Sequence, residues 1–470
     1  MQLFRKAAVY VLLYVLTISI ILSVLFLTPN DNINLTAVRF IIVFFSTVLL
    51  TKYFIYMLVS PWYDVRSTAW RYNNKRVSRN EKYAPRVSIL VPAWNEGAGV
   101  ITTVRGLLQS SYKNAEIILI DNNSTDGTER NAALLIAEYA AGPKPKYGRA
   151  IDLIYLKEVR QGKGYALNAG IERATGEIII SIDADCYVPP DSIKNFVACF
   201  RDPTVMAAVG NVKIGNTQTL LGVVQYLEFL FSFYFKKSDS IFSCIYIIGG
   251  AAGAFRKNVF EKIGGYSVSN ITEDIDLSFR IQIAGMKIAY AEDAIVYTEG
   301  ASDFKSLILQ RLRWKRGRFE TFRQHRQLFF SNKKEHNKIL TWIILPLAVF
   351  GDVQLFLEPF FIMFIYAYSY IAHDYSSFIS GIIVVCSMFV VQIMSNSRRR
   401  NLWQLILLAP IGWLLFYAST FVEFAALIKT VHAYLKKEKT QWQKWNRSGV
   451  FMKTQTSAPE AIANKELQNI

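Results

Sequence analysis

Cysteine is scarce in this 470-residue chain, with four in all: Cys186, Cys199, Cys244 and Cys386. None belongs to a CxxC pair, and none has a histidine at metal-ligand spacing. That removes a disulfide framework or a cysteine-held metal as the organising device. The four read as reduced packing residues in a cytosolic or membrane setting. Acidic residues are in deficit, 36 against 53 Lys and Arg, for a formal net charge of +17. No basic nucleic-acid motif accompanies that excess, so it reads as positive-inside loops beside a membrane or as a surface for an anionic ligand. Internal repeats and low-complexity linkers are also missing.

Hydrophobic residues are abundant, at 52% of the chain, and they cluster at the two ends. Residues 7–28 form an apolar run after Arg5 and Lys6. It is too long for a usual signal-peptide core, and no small-residue cleavage site follows. Residues 38–60 form a second run, so the pair reads as a transmembrane hairpin. Lys52, Arg66, Arg71, Lys75, Arg76 and Arg79 lie at or after its inner end, which places the amino terminus and the large central domain in the cytosol. Further apolar stretches cover about 339–371, 377–395 and 402–430. Arg398–Arg400 and the tail residues Lys436, Lys437, Lys439, Lys444 and Arg447 also argue for cytosolic loops. Three simple spans would put that tail outside, so one stretch must be interfacial, re-entrant or doubled back. Pro346, Pro359 and Pro410 are the candidate breaks.

From Val87 to about Thr298 the pattern changes. VSILVPAW, AEIILIDNN, IDLIYLKE, EIIISIDAD and MAAVGNVKI are short β-rich runs separated by helical stretches. The alternation predicts a mainly parallel sheet flanked by helices, with ligands bound where strands end. Four signatures fall in order along it or just beyond it: Asp121 in IDNNSTDGT, Asp183-Ala184-Asp185, Thr272-Glu273-Asp274, and Gln310-Arg311-Leu312-Arg313-Trp314.

Each has a bland reading. DNNSTDGT is an Asx-rich turn in which Ser124 or Thr125 caps the next helix. A DxD pair is common in surface turns, yet two carboxylates one residue apart at a strand end also hold a divalent cation. Lys163, at a helix start, is either a solvated lysine or a phosphate contact. Glu273 and Asp276 suit the first turn of a helix that Thr272 caps. Residues 303–330 mix Phe304, Leu307, Ile308, Leu309, Leu312, Trp314 and Phe319 with many cations, as an amphipathic segment at a membrane surface does. In YIIGGAAGAFRK the small residues either permit close approach of a ligand or mark a tightly packed strand.

Taken in order, these signatures resemble the processive, membrane-integrated inverting glycosyltransferases of family 2. That group includes cellulose, hyaluronan, chitin-oligosaccharide and poly-N-acetylglucosamine synthases. The resemblance covers about Pro85 to Arg318. It implies a cytosolic α/β domain of the GT-A type, a Rossmann-like mixed sheet, with flanking transmembrane and interfacial helices. The implied boundaries are 1–84 for the hairpin and basic linker and 85–300 for the transferase domain. An interfacial helix region follows at 301–338, then a membrane region at 339–430 and a basic tail at 431–470.

Carried over residue by residue, the resemblance assigns Pro92, Asn95, Glu96, Asp121, Lys163, Asp183 and Arg313 to the donor, with Asp121 on uracil and Lys163 on the diphosphate. Asp183 and Asp185 would hold Mg²⁺ or Mn²⁺. Asp274 would be the base that deprotonates the acceptor hydroxyl. Glu273, Gln310 and Trp314 would meet the acceptor, the indole stacking on its terminal sugar. Trp442 and Trp445 in QWQKWNRSG would be either a gate over the donor or an anchor in the membrane interface.

GAAGAFRK, GGYSVSNITEDIDLSFRIQIAG and QRLRWKRG most resemble poly-β-1,6-N-acetylglucosamine synthases, although Lys315 and Arg316 depart from the form expected after the tryptophan. The expected activity is processive transfer of N-acetylglucosamine from UDP-N-acetylglucosamine to a polysaccharide, coupled to translocation at the plasma or inner membrane. The lipid bilayer and a small membrane accessory subunit are the partners implied, with no nucleic acid. Hyaluronan or chitin-oligosaccharide synthesis, and a non-processive lipid-sugar transferase, are the alternatives. A catalytically dead channel or scaffold is opposed by intact Asp185, Asp274 and Arg313. Cellulose synthesis is opposed by the short tail after Lys436, which leaves no room for a cyclic-dinucleotide sensor.

Overall fold

The computed structural model describes residues 55–69, 83–97, 99–142, 150–395 and 409–436, with isolated positions before residue 45. Most of the first apolar run, the basic residues between Arg71 and Arg79, Arg398–Arg400, and the tail with Trp442 and Trp445 lie outside the described residues.

The strand ends expected from the sequence come together on one sheet. Its members are β1 (Val87–Ala93), β2 (Ala115–Asp121), β3 (Asp152–Lys157), β4 (Ile178–Ser181), β5 (Cys186–Tyr187), β6 (Val205–Ile214), β7 (Gly253–Arg256) and β8 (Lys287–Thr298). They lie in the order β3-β2-β1-β4-β7-β6-β8-β5. All of β2 and most of β1 are buried, as befits strands covered on both faces. Ile89, Leu90, Ile117, Ile118, Leu119, Ile179 and Ile180 are the centre of the core. Truncating one of them to alanine costs about 2–5 kcal/mol.

The sheet is mixed, as the family resemblance implied, with parallel pairing in most of it. β3, β2, β1 and β4 are parallel, but β7 runs antiparallel between β4 and β6, and β5 antiparallel to β8. An apolar run carries no mark of its direction, so the sequence pattern does not reveal the reversal. The reversal matters for the site. Gly253, the first residue of β7, pairs with Ser181, the last of β4. The loop before β7 therefore arrives at the same edge as the carboxyl ends of the parallel strands.

Helices cover both faces and extend the chain beyond the sheet. They are α1 (55–69), α2 (Gly99–Leu108), α3 (Thr128–Ala141), α4 (Lys163–Arg173), α5 (Ser192–Cys199), α6 (Leu220–Ile241), α7 (Lys257–Ile263), α8 (Glu273–Ile283) and α9 (Phe304–Gln324). After a π-helical turn at Leu340–Ile344 come α10 (Leu345–Ala372), α11 (Ser376–Ser395) and α12 (Ala409–Leu435). Among the described residues, one helix is long and apolar enough to cross a membrane, Leu340–Ala372.

Of the expected proline breaks, Pro346 does not interrupt the helix: the π-helical turn Leu340–Ile344 runs directly into α10, and Pro346 follows it. Pro359 does not break the chain; α10 continues through it. Pro410 is the second described residue of α12, which continues through it.

Candidate active site

The first wall of the site joins the ends of β1 and β2. Asn95 adopts a left-handed φ of 54°, which an asparagine tolerates. Its amide donates to Ser124 Oγ at 2.9 Å, and its Oδ1 accepts from the Thr125 amide at 2.7 Å. The Glu96 amide donates to Thr128 Oγ1 at 2.9 Å. Ser124 and Thr125 are thus spent on this cross-link and do not cap α3, as the sequence suggested. The helix starts at Thr128, after an Asx turn in which Asp126 Oδ1 accepts from the Thr128 amide at 2.9 Å. Asp121 is buried at the end of β2; its Oδ1 accepts from the Ser124 amide at 3.3 Å, and Tyr155 Oη stands 3.4 Å from Oδ2. Burial, helped by Asp121, pushes the Tyr155 phenol up to about 12.

The second wall presents a lysine to a group of carboxylates. Asn122 shapes the turn before α4: its Nδ2 donates to Arg160 O at 2.7 Å and its Oδ1 accepts from the Gly162 amide at 2.8 Å. Lys163 opens α4, and its Nζ lies 2.5 Å from Asp183 Oδ1 and 3.5 Å from Glu273 Oε1. Burial works against the ammonium, but Asp183, Glu273 and Asp274 outweigh it and hold its pKa above the ordinary lysine value. Glu273 is shifted the other way for a carboxylate: burial raises it, and the cations Lys163 and Arg313 only partly offset that.

Asp274 Oδ2 accepts from the Gly250 amide at 2.8 Å, and its Oδ1 from the Ile275 amide at 2.9 Å. A Cβ at Gly250 would stand 2.7 Å from Lys163 Nζ, so a side chain there would displace the lysine tip. The close approach expected in YIIGGAAGAFRK is therefore an approach of the chain's own lysine and aspartate. Asp183 and Asp185 follow β4 on a turn in which the Cys186 amide donates to Asp183 O at 3.2 Å. Thr103 of α2 fixes that turn, its hydroxyl 2.7 Å from both Ala184 O and Cys186 O. Both carboxylates are half-buried. A pair of half-buried carboxylates offers the hard oxygen donors that suit Mg²⁺ or Mn²⁺. Among the described residues no cluster of three or more His, Cys, Asp or Glu offers an alternative metal site.

The third wall is α9. Gly317 brings it against the loop before α8, because any Cβ there would stand 2.3 Å from Thr272 Oγ1 and Cγ2. The expected cap of α8 by the Thr272 side chain is not made; its hydroxyl donates to Asn270 Oδ1 at 3.1 Å instead. Gln310 is buried, and its Oε1 has no hydrogen-bond partner in the structure. Trp314 is half-buried, 6.3 Å from the Phe229 ring. Asp276 does not face the cluster. It is bonded to His325 at 2.7 Å and to Arg280 at 2.8 Å, and Arg280 donates to the carbonyls of Ile263 and Gly265.

Of the residues singled out in the sequence, Lys163, Asp183, Glu273 and Asp274 form one cluster. Pro92, Asn95, Glu96 and Asp121 lie along the neighbouring strand ends. Asp185 follows Asp183 by two residues, with Cys186 Sγ 3.7 Å from its Oδ1. Gln310, Arg313 and Trp314 share α9. Trp442 and Trp445 are outside the described residues.

Several neighbours went unmarked in the sequence. Tyr266 is buried beside Lys163, Glu273 and Asp274, and burial raises its phenol above the ordinary value. Lys236 donates to Ile247 O at 2.8 Å, and burial lowers its ammonium to about 8 although Asp239 and Asp274 act in its favour. Asn122 and Arg311 stand next to signature residues, and only the folded contacts reveal their roles.

A model of the family described as "Glycosyltransferase like family 2" matches residues 85–317. The chain is 26% identical over 376 residues to the poly-beta-1,6-N-acetyl-D-glucosamine synthase of Staphylococcus epidermidis, covering 77% of this chain and 86% of that protein. It is 29% identical over 296 residues to the synthase of the same name from Staphylococcus aureus strain COL, covering 62% and 68%. Among solved structures, the mannosyltransferase PcManGT of Pyrobaculum calidifontis, in complex with GDP-Man and Mn²⁺, aligns at a TM-score of 0.50 with 18% identity. That alignment covers 82% of this chain and 99% of that one, and supports a GT-A-like fold.

Proposed function

Taking as premise that this chain is a glycosyltransferase with a family 2 domain over residues 85–317, we propose that it builds a β-linked polymer of N-acetylglucosamine from UDP-N-acetylglucosamine. The observation that carries the reading is the carboxylate–lysine cluster at the strand ends, where Lys163, Asp183, Glu273 and Asp274 meet. The synthases named above support the choice of sugar.

In this reading Asp121, Asn95 and Glu96 line the nucleotide end, with Pro92 beneath them. Lys163 and Arg313 receive the diphosphate, a charged fork and a point charge suited to phosphate oxygens. Asp183 and Asp185 would hold Mg²⁺ or Mn²⁺, which when bound neutralises charge on the departing diphosphate. Asp274 takes the proton of the acceptor hydroxyl as that oxygen bonds to the anomeric carbon. The bond from that carbon to the UDP oxygen breaks, UDP leaves with the electron pair, and the anomeric configuration inverts. The Gly250 and Ile275 amides hold the Asp274 carboxylate in place for this. Gln310, with its unsatisfied buried oxygen, accepts from a sugar hydroxyl. Trp314 offers a ring face to the terminal sugar, and Glu273 borders it.

The proposed organisation keeps the boundaries read from the sequence, with residues 339–430 as the membrane region and the catalytic domain in the cytosol. Phe350, Val353, Phe356, Leu357, Phe360, Met363 and Phe364 are exposed apolar side chains on α10, and a bilayer is the cover that suits them. Processivity follows if the acceptor end rests on α9, beside the helices through which the product would leave.

The test is purification in detergent, incubation with a panel of UDP-sugars, separation of products by length, and digestion by linkage-specific glycosidases. A polymer from UDP-N-acetylglucosamine that a β-1,6-specific enzyme degrades is expected. A polymer from another donor, or a single transfer to lipid, would replace this reading with hyaluronan or chitin-oligosaccharide synthesis or with a non-processive transferase.

A further inference from the structure

Among the described residues, Arg311 is the largest side chain that is fully enclosed, at 2% exposure. It lies on α9 one turn before Trp314, on the same helix face. Its guanidinium carbon stands 4.4 Å from the centroid of the Trp314 ring. Its Nη2 is 2.6 Å from Glu228 Oε2 on α6, and its Nε is 3.2 Å from Glu423 Oε1 on α12. One further turn along α9, Lys315 meets the other oxygen of Glu423 at 2.8 Å and Asp352 of α10 at 3.2 Å; Arg318 also bonds Asp352. A single row of α9 cations thus ties the helix to α6, α10 and α12. Arg311 alone in that row also covers the indole.

We infer that Arg311 is a positioning residue: it sets the Trp314 ring at the acceptor end of the site and couples that ring to α12 through Glu423. The inference rests on the acceptor role proposed above for Trp314.

The chemistry favours this over a purely structural role. A buried ion pair gives little stability beyond what apolar packing of the same volume supplies, so stability alone is a weak reason to bury an arginine here. A guanidinium is planar. It donates at its edge to two carboxylates while its face lies on an aromatic ring, which an ammonium does not do. The ring is thus held from one side by Arg311 and flanked by Phe229. Gln310, immediately before Arg311, carries the buried amide oxygen that lacks a partner. The fixed ring and the waiting acceptor oxygen therefore stand on the same turn of α9.

The experiment compares four forms of the full chain in detergent: wild type, Arg311→Lys, Trp314→Ala and the double variant. Product length and free UDP release are measured with UDP-N-acetylglucosamine, each normalised to folded protein. Lysine keeps the charge that Glu228 and Glu423 require but gives up the planar face. In the wild-type background Arg311→Lys is expected to shorten the product about three- to tenfold more than it lowers UDP release. In the Trp314→Ala background the same change should shorten it by less than about twofold, since residues acting through one another are not additive. Equal loss of length in both backgrounds, or equal loss of length and UDP release, overturns the inference.

Trp314→Ala with full-length product would instead overturn the acceptor reading of Trp314 on which the inference rests. Should Arg311→Lys fail to fold, Glu423→Gln frees Arg311 from one of its two carboxylates while leaving it in place. A loss confined to elongation supports the coupling, and a proportional loss of both activities overturns it.

Discussion

A methyl group on Gly250 would stand 2.7 Å from the Lys163 ammonium and 3.4 Å from Asp274 Oδ2. The lysine tip is the flexible partner, so Gly250→Ala should fold normally and move Lys163 away from Asp183. The expected result is a rise of about tenfold in the donor KM with a smaller change in kcat, because a lost charge-assisted contact to phosphate weakens binding. Steady-state kinetics of UDP release checks it, and an unchanged KM would mean that Lys163 does not hold the diphosphate. The paired carboxylates give a second prediction. Asp185→Asn should abolish transfer, as should excess chelator, with Mg²⁺ or Mn²⁺ restoring the chelated wild type; full turnover in chelator contradicts it. Asp121, Asp183 and Asp274 were legible in the sequence because each follows a recognisable apolar run or opens a helix. Tyr266, Asn122 and Lys236 were not, since nothing local distinguishes them and only long-range packing brings them to the site.

Elements show where local reasoning holds and where it stops. The β-rich runs named in the sequence became strands because they are continuous apolar segments that two layers of helices bury. Direction was invisible, so the antiparallel β7 had to be learned from the fold, and with it the reason the YIIGG loop reaches the site. Capping by Ser124 or Thr125 failed because both residues are drawn into bonds with Asn95, and α3 starts later.

The buried Glu116 on β2 gives a prediction about stability at this scale. It lies away from the site and accepts from Ser88 Oγ at 2.5 Å and the Thr175 amide at 2.7 Å, with Arg86 at 3.3 Å. Burial works to raise its pKa, and these partners outweigh it, so the folded value lies below the ordinary one. A lowered folded pKa favours the folded state above the unfolded value, roughly pH 4.3, and that contribution is lost as pH falls from there through the lower folded value. Glu116→Gln should therefore cost about 1–3 kcal/mol at pH 7, and the gap in melting temperature between the two forms should narrow as pH falls below about 4.5. A gap that stays constant with pH would mean that the charge on Glu116 is not what the β2 network uses.

At the scale of the whole molecule, α10 is the described helix able to separate two compartments. Lys334, in the turn before the Leu340–Ala372 span, and His373, directly after it, are exposed. In a cysteine-free background, a cysteine at Lys334 should react with a membrane-impermeant reagent only after the cell is opened, and one at His373 in intact cells. Reaction of both in intact cells, or of neither, would contradict a span at α10. The charge pattern of the sequence pointed to a cytosolic domain, loop and tail without saying which later stretch spans, and the number of later spans depends on segments outside the described residues.

The central claim is that the cluster at the strand ends performs transfer with Asp274 as its base. The most direct measurement compares wild type with Asp274→Asn for two quantities, affinity for UDP and rate of polymer formation. Asparagine keeps the size but takes no proton; its single oxygen accepts from the Gly250 or the Ile275 amide, where the two carboxylate oxygens accept from both. Binding of UDP within a few-fold of wild type, with polymer formation lower by about 10²-fold or more, is the predicted result. Polymer formation within a few-fold of wild type would contradict it and move the base elsewhere in the cluster.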